Sequence, residues 1–387
     1  MEKEVGSLIK RAKLKRCGSD TYPVLSMTMH EGLVFQNDRF KKQIASIDQS
    51  QYQVVYRHQL VESFPIDEGV LAVQELTEAG IVSPAYKIWD IDMNLVVPKY
   101  LEYALRAPRS IEYYKLKLRG TTARRRSISD FELCSMKIIC PSLDEQQRIV
   151  AIIEKVQKVI IHKQKEVTVL DNLIQARFVE MFGDLTNPEC LWDKYQLVEV
   201  CANKDDIKCG PFGTQLNKDE YTEDGIAVWE IPQINVAFES KPLHFITEKK
   251  AEQLKAYTII PGDIAMSRKG NVGKCAVFPR EYPQGIIHSD VLRIRVNSQL
   301  VHPIFMMYQF HFSEFVTRQI ELVSSGAIMA GVNVTKLKHI YVHVPPLELQ
   351  TQFATFVQAI DKYKLKVEDS LKKLEILQKS LMQQYFG

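Results

Sequence analysis

The sequence has no C-x-x-C pair. Its seven cysteines (Cys17, Cys134, Cys140, Cys190, Cys201, Cys209 and Cys275) are scattered. Zinc needs clustered thiolates or imidazoles, so no metal site is expected, and the thiols read as reduced. There is no apolar run of the roughly 18 residues that span a bilayer. The opening MEKEVGSLIKRAKLKRC lacks the apolar stretch of a secretory signal, so a cytoplasmic protein without a membrane partner is expected. Net charge is also scarce: 50 Lys and Arg face 47 Asp and Glu, leaving +3. Any nucleic-acid contact must therefore come from local patches.

Catalytic constellations are absent too. There is no glycine-rich cofactor loop after a strand, no H-E-x-x-H and no G-x-S-x-G. The N/D-P-P-Y/F segment of adenine methyltransferases is missing, since TNPEC and VPPLE lack the aromatic. SRKGNVGKC (Ser267–Cys275) ends like a phosphate-binding loop, but Arg268 stands where that motif needs glycine and Cys275 where it needs a hydroxyl. His288 precedes Ser289 and Asp290, yet adjacency does not make a triad. The pair Asp205–Asp206 reads as a polar loop. No catalytic residue is expected.

What the chain does have is a repeat. PSLDEQQRI (Pro141–Ile149) returns as PPLELQTQF (Pro345–Phe353), and the offset of 204 holds without a gap to Phe182–Gly183 and Phe386–Gly387. Pro141, Leu143, Gln146, Leu170 and Leu173 match Pro345, Leu347, Gln350, Leu374 and Leu377. Apolar residues follow a 3–4 spacing through both copies, the narrow stripe of a coiled-coil seam. Roughly 36 helical residues would make a rod of about 55 Å. Each helix needs a partner for its stripe, and antiparallel pairing would set the globular parts at opposite ends. Ser142 and Glu145 form a capping box at the first start. Pro346 and Leu349 replace them at the second.

With a composition 45% hydrophobic and 25% charged, the remaining segments read as globular. YPVLSM, IAVWEI, GDIAMS, KCAVF and VLRIRV read as strands, and PKYLEYALRAP and PIFMMYQFHFSEFVTRQI as helices. The expectation is an α+β chain: a first domain at 1–140, a central long helix at 141–183, a second domain at 184–344 and a C-terminal long helix at 345–387. The two long helices form an antiparallel coiled coil, and the repeat gives internal pseudo-twofold symmetry.

Three basic stretches are candidate DNA contacts. SRKGNVGKC reads as a turn between two strands that presents Arg268, Lys269, Asn271 and Lys274 to phosphates and base edges. ARRRS supplies Arg124, Arg125 and Arg126, and KRAKLKR supplies Lys10, Arg11 and Lys13. Each stretch also reads as an ordinary solvated face.

The two P-x-L-x-x-Q helix starts, the FG ends, W-x-x-x-x-L-x-x-V at Trp192–Val200, GPFGTQL and SSGAIMAGVNVTKLKHIYVHVPP together resemble the specificity subunit of type I restriction–modification enzymes. The resemblance implies two target recognition domains, each reading one half of a split double-stranded DNA sequence. The helices would act as a ruler of about one DNA turn. It also implies a non-catalytic chain that docks two methyltransferase subunits, which carry S-adenosylmethionine and flip an adenine. Restriction and translocase subunits join that core. The competing readings are a stand-alone DNA methyltransferase or nuclease, and a coiled-coil adaptor that binds no DNA. One departure stands out. By the constant offset Met1 would match Asp205, so the tryptophan-containing opening has no counterpart and the first domain should lack a strand or turn.

Overall fold

A computed structural model describes the whole chain except residues 30, 40–48, 119–125, 188–189 and 325–330 and the side chain of Arg39. It divides into two compact units, Met1–Lys165 with Glu368–Gly387, and Glu166–Val367. Two 40-residue helices, Leu143–Phe182 and Leu347–Phe386, each run from one unit into the other. Among the described residues, no helix is long and apolar enough to cross a membrane.

Both units are built on the same sheet. In the first, the strand order is Ile9–Arg11, Lys87–Ile91, Leu60–Glu62, Leu71–Val73. In the second it is Ile207–Cys209, Val291–Ile294, Ile264–Ser267, Cys275–Val277, and all pairs in both sheets are antiparallel. Alternate residues of these strands face a core closed by two helices, Pro98–Arg106 and Pro108–Lys117 in one unit, Pro303–Phe312 and Glu314–Ser324 in the other. PIFMMYQFHFSEFVTRQI is thus two helices rather than one. Ser313 takes extended dihedrals, and its carbonyl accepts from Val316 and Thr317 to start the second. The second unit has a further sheet, His244–Ile246, Ile226–Trp229, Gly285–Ile287, Thr258–Ile259, with one parallel pair. The first unit repeats it, with Gly32–Phe35 on Leu25–Thr28, Ala79–Val82 on Gln53–Tyr56, and a parallel bridge between Val24 and Ile81.

The strand expected to be missing from the first domain is present. Glu2–Glu4 pairs with Lys137–Ile139 just as Lys194–Gln196 pairs with Tyr341–His343. Val5 and Leu8 are buried behind it, as Leu197 and Val200 are in the other copy. Part of the shortening falls in the next loop. Cys201–Asp206 separates Val200 from Ile207, whereas Leu8 runs directly into Ile9. A constant offset hides this, because the deletion moves everything upstream of it out of register.

Each long helix is fastened at its start by one fully buried glutamine. Gln146 Oε1 accepts from Val97 N–H at 2.8 Å, and its Nε2 donates to Pro141 O at 2.9 Å and Leu95 O at 3.3 Å. Gln350 repeats the set with His302 N–H at 2.8 Å, Pro345 O at 2.7 Å and Leu300 O at 3.1 Å. Of the first start's capping box, the hydroxyl half is formed, with Glu145 N–H donating to Ser142 Oγ at 3.4 Å. Each helix ends on a phenylalanine plugged into a core. Phe386 packs on Tyr100 at 5.1 Å between centroids, and Phe182 on Phe305 at 4.7 Å. Left-handed Gly387 and Gly183 follow (φ +91° and +73°) and stop the helices.

In the first unit, Ile149 and Ile153 at the beginning of the central helix share a core with Phe386 at the end of the other. In the second, Ile174, Phe178 and Phe182 share one with Phe353 and Val357. The helices therefore pair antiparallel in both. Tyr363 Oη donates to Glu166 Oε1 at 2.6 Å, and Lys364 pairs with Asp171 at 2.8 Å. The seam is narrower than the apolar stripe, since Ile152, Val159, Leu173 and Leu377 stay exposed.

Replacing Gln350 by leucine keeps the volume but strands the buried Pro345 carbonyl and the partly buried His302 N–H and Leu300 carbonyl. At about 1–3 kcal/mol for each buried group left unpaired, a Tm drop on the order of 5–10 °C is expected by thermal denaturation. His343 gives a second test. It is fully buried, neither ring nitrogen has a partner, and burial, then the nearby Lys194 charge, push its pKa from 6.5 down to about 4. The unfolded chain binds that proton more readily, so its share of stability is present above pH 6.5 and lost as pH falls toward 4. His343→Phe should flatten this acid limb of Tm against pH.

Candidate nucleic-acid interface

The basic turn of the second unit joins two paired strands, Met266 facing Cys275. Ser267 N–H donates to Lys274 O at 2.8 Å, and Arg268 N–H to Asp290 O at 2.9 Å. Of the four residues expected to touch DNA, Lys269, Asn271 and Lys274 are exposed. Arg268 is half-buried and has a fixed place. Its guanidinium lies 4.8 Å from the Phe212 ring centroid, and Nε donates to Val332 O at 3.3 Å. Phe212 comes from GPFGTQL, and Gly210 is what lets that loop approach. A Cβ there would stand 2.3 Å from His288 O. The sequence marked this loop without assigning it a role.

Beside the turn a polar chain crosses the surface. Lys269 Nζ is 2.7 Å from Asp290 Oδ1, and Asp290 N–H donates to His288 Nδ1 at 3.3 Å. His288 Nε2 then stands 4.0 Å from Glu230 Oε1, while Glu230 Oε2 accepts from His244 Nδ1 at 2.7 Å. Tyr221 stacks on His244 at 4.6 Å. His288 and Asp290 are thus neighbours in space as well as in sequence, but the group with them is a carboxylate rather than a nucleophile. Among the described residues, no group of histidine, cysteine and acidic side chains is arranged to hold a metal.

The corresponding turn of the first unit has the opposite charge. Residues 63–70 close in the same way, Ser63 N–H donating to Val70 O at 3.0 Å, but they carry Asp67 and Glu68. Arg126 is bound to both, its Nε 2.8 Å from Asp67 Oδ1 and its Nη2 on Glu68. Asp67, then Glu68, hold its guanidinium further on the charged side. Arg126 is therefore committed within the fold rather than free for phosphate. Arg124 and Arg125 lie outside the described residues.

Lys10, Arg11 and Lys13 are exposed on and after the edge strand Ile9–Arg11. Arg11 lies over Trp89 at 5.1 Å. Arg11, Lys13, Lys15 and Arg16 line a groove of about 250 Å³ with Gln51 and Gln53. Lys15, which the sequence did not single out, is held by Tyr56 Oη at 3.2 Å and Tyr22 Oη at 3.3 Å. Among the described residues, this groove gathers four cations where the turn at 63–70 carries two acids.

Residues 191–378 match the family described as type I restriction modification DNA specificity domain. A protein of Methanocaldococcus jannaschii named as a type I restriction enzyme MjaX specificity subunit is 22% identical over 304 residues, covering 73% of this chain and 67% of that protein. Two solved structures share the fold. One comes from work on complex assembly and conformational transition of the type I R-M system, with TM-score 0.60, 16% identity, and coverage of 100% of this chain and 97% of that one. The other is a type I restriction–modification S subunit from M. genitalium, with TM-score 0.59, 13% identity, and coverage of 100% and 96%.

Each phosphate contact contributes about 0.9 to the slope of log K against log salt. Replacing Lys269 and Lys274 by alanine should lower that slope by up to about two with little change in Tm. Arg126→Ala should leave the slope alone. Anisotropy titrations on duplex DNA at several salt concentrations read both.

Proposed function

We propose that the chain is a specificity subunit of a type I restriction–modification system and that it reads a split target on double-stranded DNA, one half-site per globular domain. The observation that carries this reading is the duplication itself. The same four-stranded sheet, the same helix pair and the same glutamine-fastened long helix occur twice in one chain. A monomer with two related reading heads matches a target with two separated halves, as dimeric DNA-binding proteins do with paired half-sites. The long helices then set the separation between halves.

The chain contributes recognition and scaffolding, not chemistry. Its partners are two methyltransferase subunits, which bring S-adenosylmethionine and expose the target base, and restriction and translocase subunits that join them. The alternative is a stand-alone methyltransferase or nuclease.

The test is a methylation map of cells that express this chain with its methyltransferase partner. A split motif is expected, and no methyl transfer by the chain alone. Adding about one helical turn to both long helices lengthens each by about 5.4 Å. The same half-sites with a longer spacer are expected. An unchanged spacer would refute the ruler, and methylation by the isolated chain would refute the non-catalytic role.

A further inference from the structure

The polar chain beside the basic turn holds one donor and one acceptor that the fold leaves unused toward each other. Asp290 N–H donates to His288 Nδ1, so the proton of the neutral ring is on Nε2. A carboxylate only accepts. Glu230 Oε2 is taken by His244 at 2.7 Å, which leaves Oε1 for another donor. His288 Nε2 and Glu230 Oε1 are 4.0 Å apart, too far to satisfy one another, and both side chains keep access to solvent (27% and 17% exposed). Side by side they present N–H and O⁻ to whatever faces the turn.

In the major groove, adenine is the base that offers an N6 amino donor beside an N7 acceptor. Guanine shows two acceptors, cytosine an amino donor alone, and thymine an acceptor and a methyl. On a single base, a neighbouring donor and acceptor on the protein complement adenine alone; across a G·C pair, guanine O6 beside cytosine N4 matches them as well, and the selection below separates the two. We propose that Glu230 and His288 read the major-groove edge of an adenine in the half-site bound by the second domain. Glu230 Oε1 accepts from N6, and His288 Nε2 donates to N7.

The surroundings act through these two. His244 and the Tyr221 ring stacked on it fix the Glu230 carboxylate, and Asp290 fixes the His288 ring while holding Lys269 at 2.7 Å. These are positioning residues. The inference rests on the split-target reading above and adds which groups read a base and which base they read.

The experiment uses the complex with its methyltransferase subunits and a DNA library randomised in the second half-site. Wild type and Glu230→Ala are selected in parallel. The expected result is that Glu230→Ala loses preference at one adenine position, by roughly tenfold or more, and keeps the others. A second arm needs no variant. Purine, which lacks N6, or 7-deazaadenine, which lacks N7, at that position should weaken wild-type binding to a similar degree. Purine should weaken Glu230→Ala no further. The inference is overturned if Glu230→Ala keeps every preference, if the lost preference is at a base other than adenine, or if the analogues bind wild type as well as adenine does. A wild-type selection with no split motif would instead overturn the functional reading on which it rests.

Discussion

Everything in this chain that repeats depends on one side chain used twice. A long helix that leaves a domain needs a fixed root, or its far end wanders. Gln146 and Gln350 supply that root. Each bonds the backbone N–H just ahead of the domain's helix and two carbonyls from separate loops. Only a primary amide of this length accepts and donates at once with no charge to bury. Glutamate would lack the donors, and lysine would carry an ammonium into a fully buried site. The far ends are secured differently, by Phe182 and Phe386 entering aromatic cores. A polar root fixes direction, and an apolar plug tolerates small adjustments in register.

On this shared frame the two units have diverged where they would meet DNA. The turn at 267–274 faces outward with Lys269, Asn271 and Lys274 exposed, while the turn at 63–70 carries two acids closed off by Arg126. Arg126 pairs with Asp67, which is buried, and with the more exposed Glu68. Its effect is on the surface, where it masks acids that would repel a phosphate. The first unit places its cations in the groove beyond the edge strand instead, with Lys15 held between two tyrosine hydroxyls. Related heads need not bind through the same loop when the sheet beneath them is preserved.

The long helices, their antiparallel pairing and the basic turn were legible in the sequence, because each is written in consecutive residues. The 3–4 spacing, the P-x-L-x-x-Q start and the FG stop lie within about forty positions of one another. Other features were not legible, for particular reasons. The first strand was misjudged because shortenings upstream of residue 60, the loop before Ile9 among them, break the 204-residue register. The helix break at Ser313 carries no proline or glycine to mark it, whereas its counterpart at Ala107 is followed by Pro108. The cluster of Tyr221, Glu230, His244 and His288 comes from separate parts of the second unit, far apart in sequence. Spacing rules do not reach such a set.

The same cluster explains why an acid lies next to a surface meant for a polyanion. Asp290 and Glu230 would repel phosphate if either stood outermost. Lys269 is outermost, 47% exposed, and covers Asp290, while Glu230 sits behind two histidines. The order from the turn inward is cation, carboxylate, imidazole, carboxylate. Phosphate meets the lysine first, which positions the duplex, and only a base edge in the groove reaches the carboxylate behind. A weak exposed pair suits this arrangement, because Lys269 can exchange Asp290 for a phosphate at little cost. On the proposed reading, affinity comes from the exposed cations and discrimination from the partly buried pair behind them.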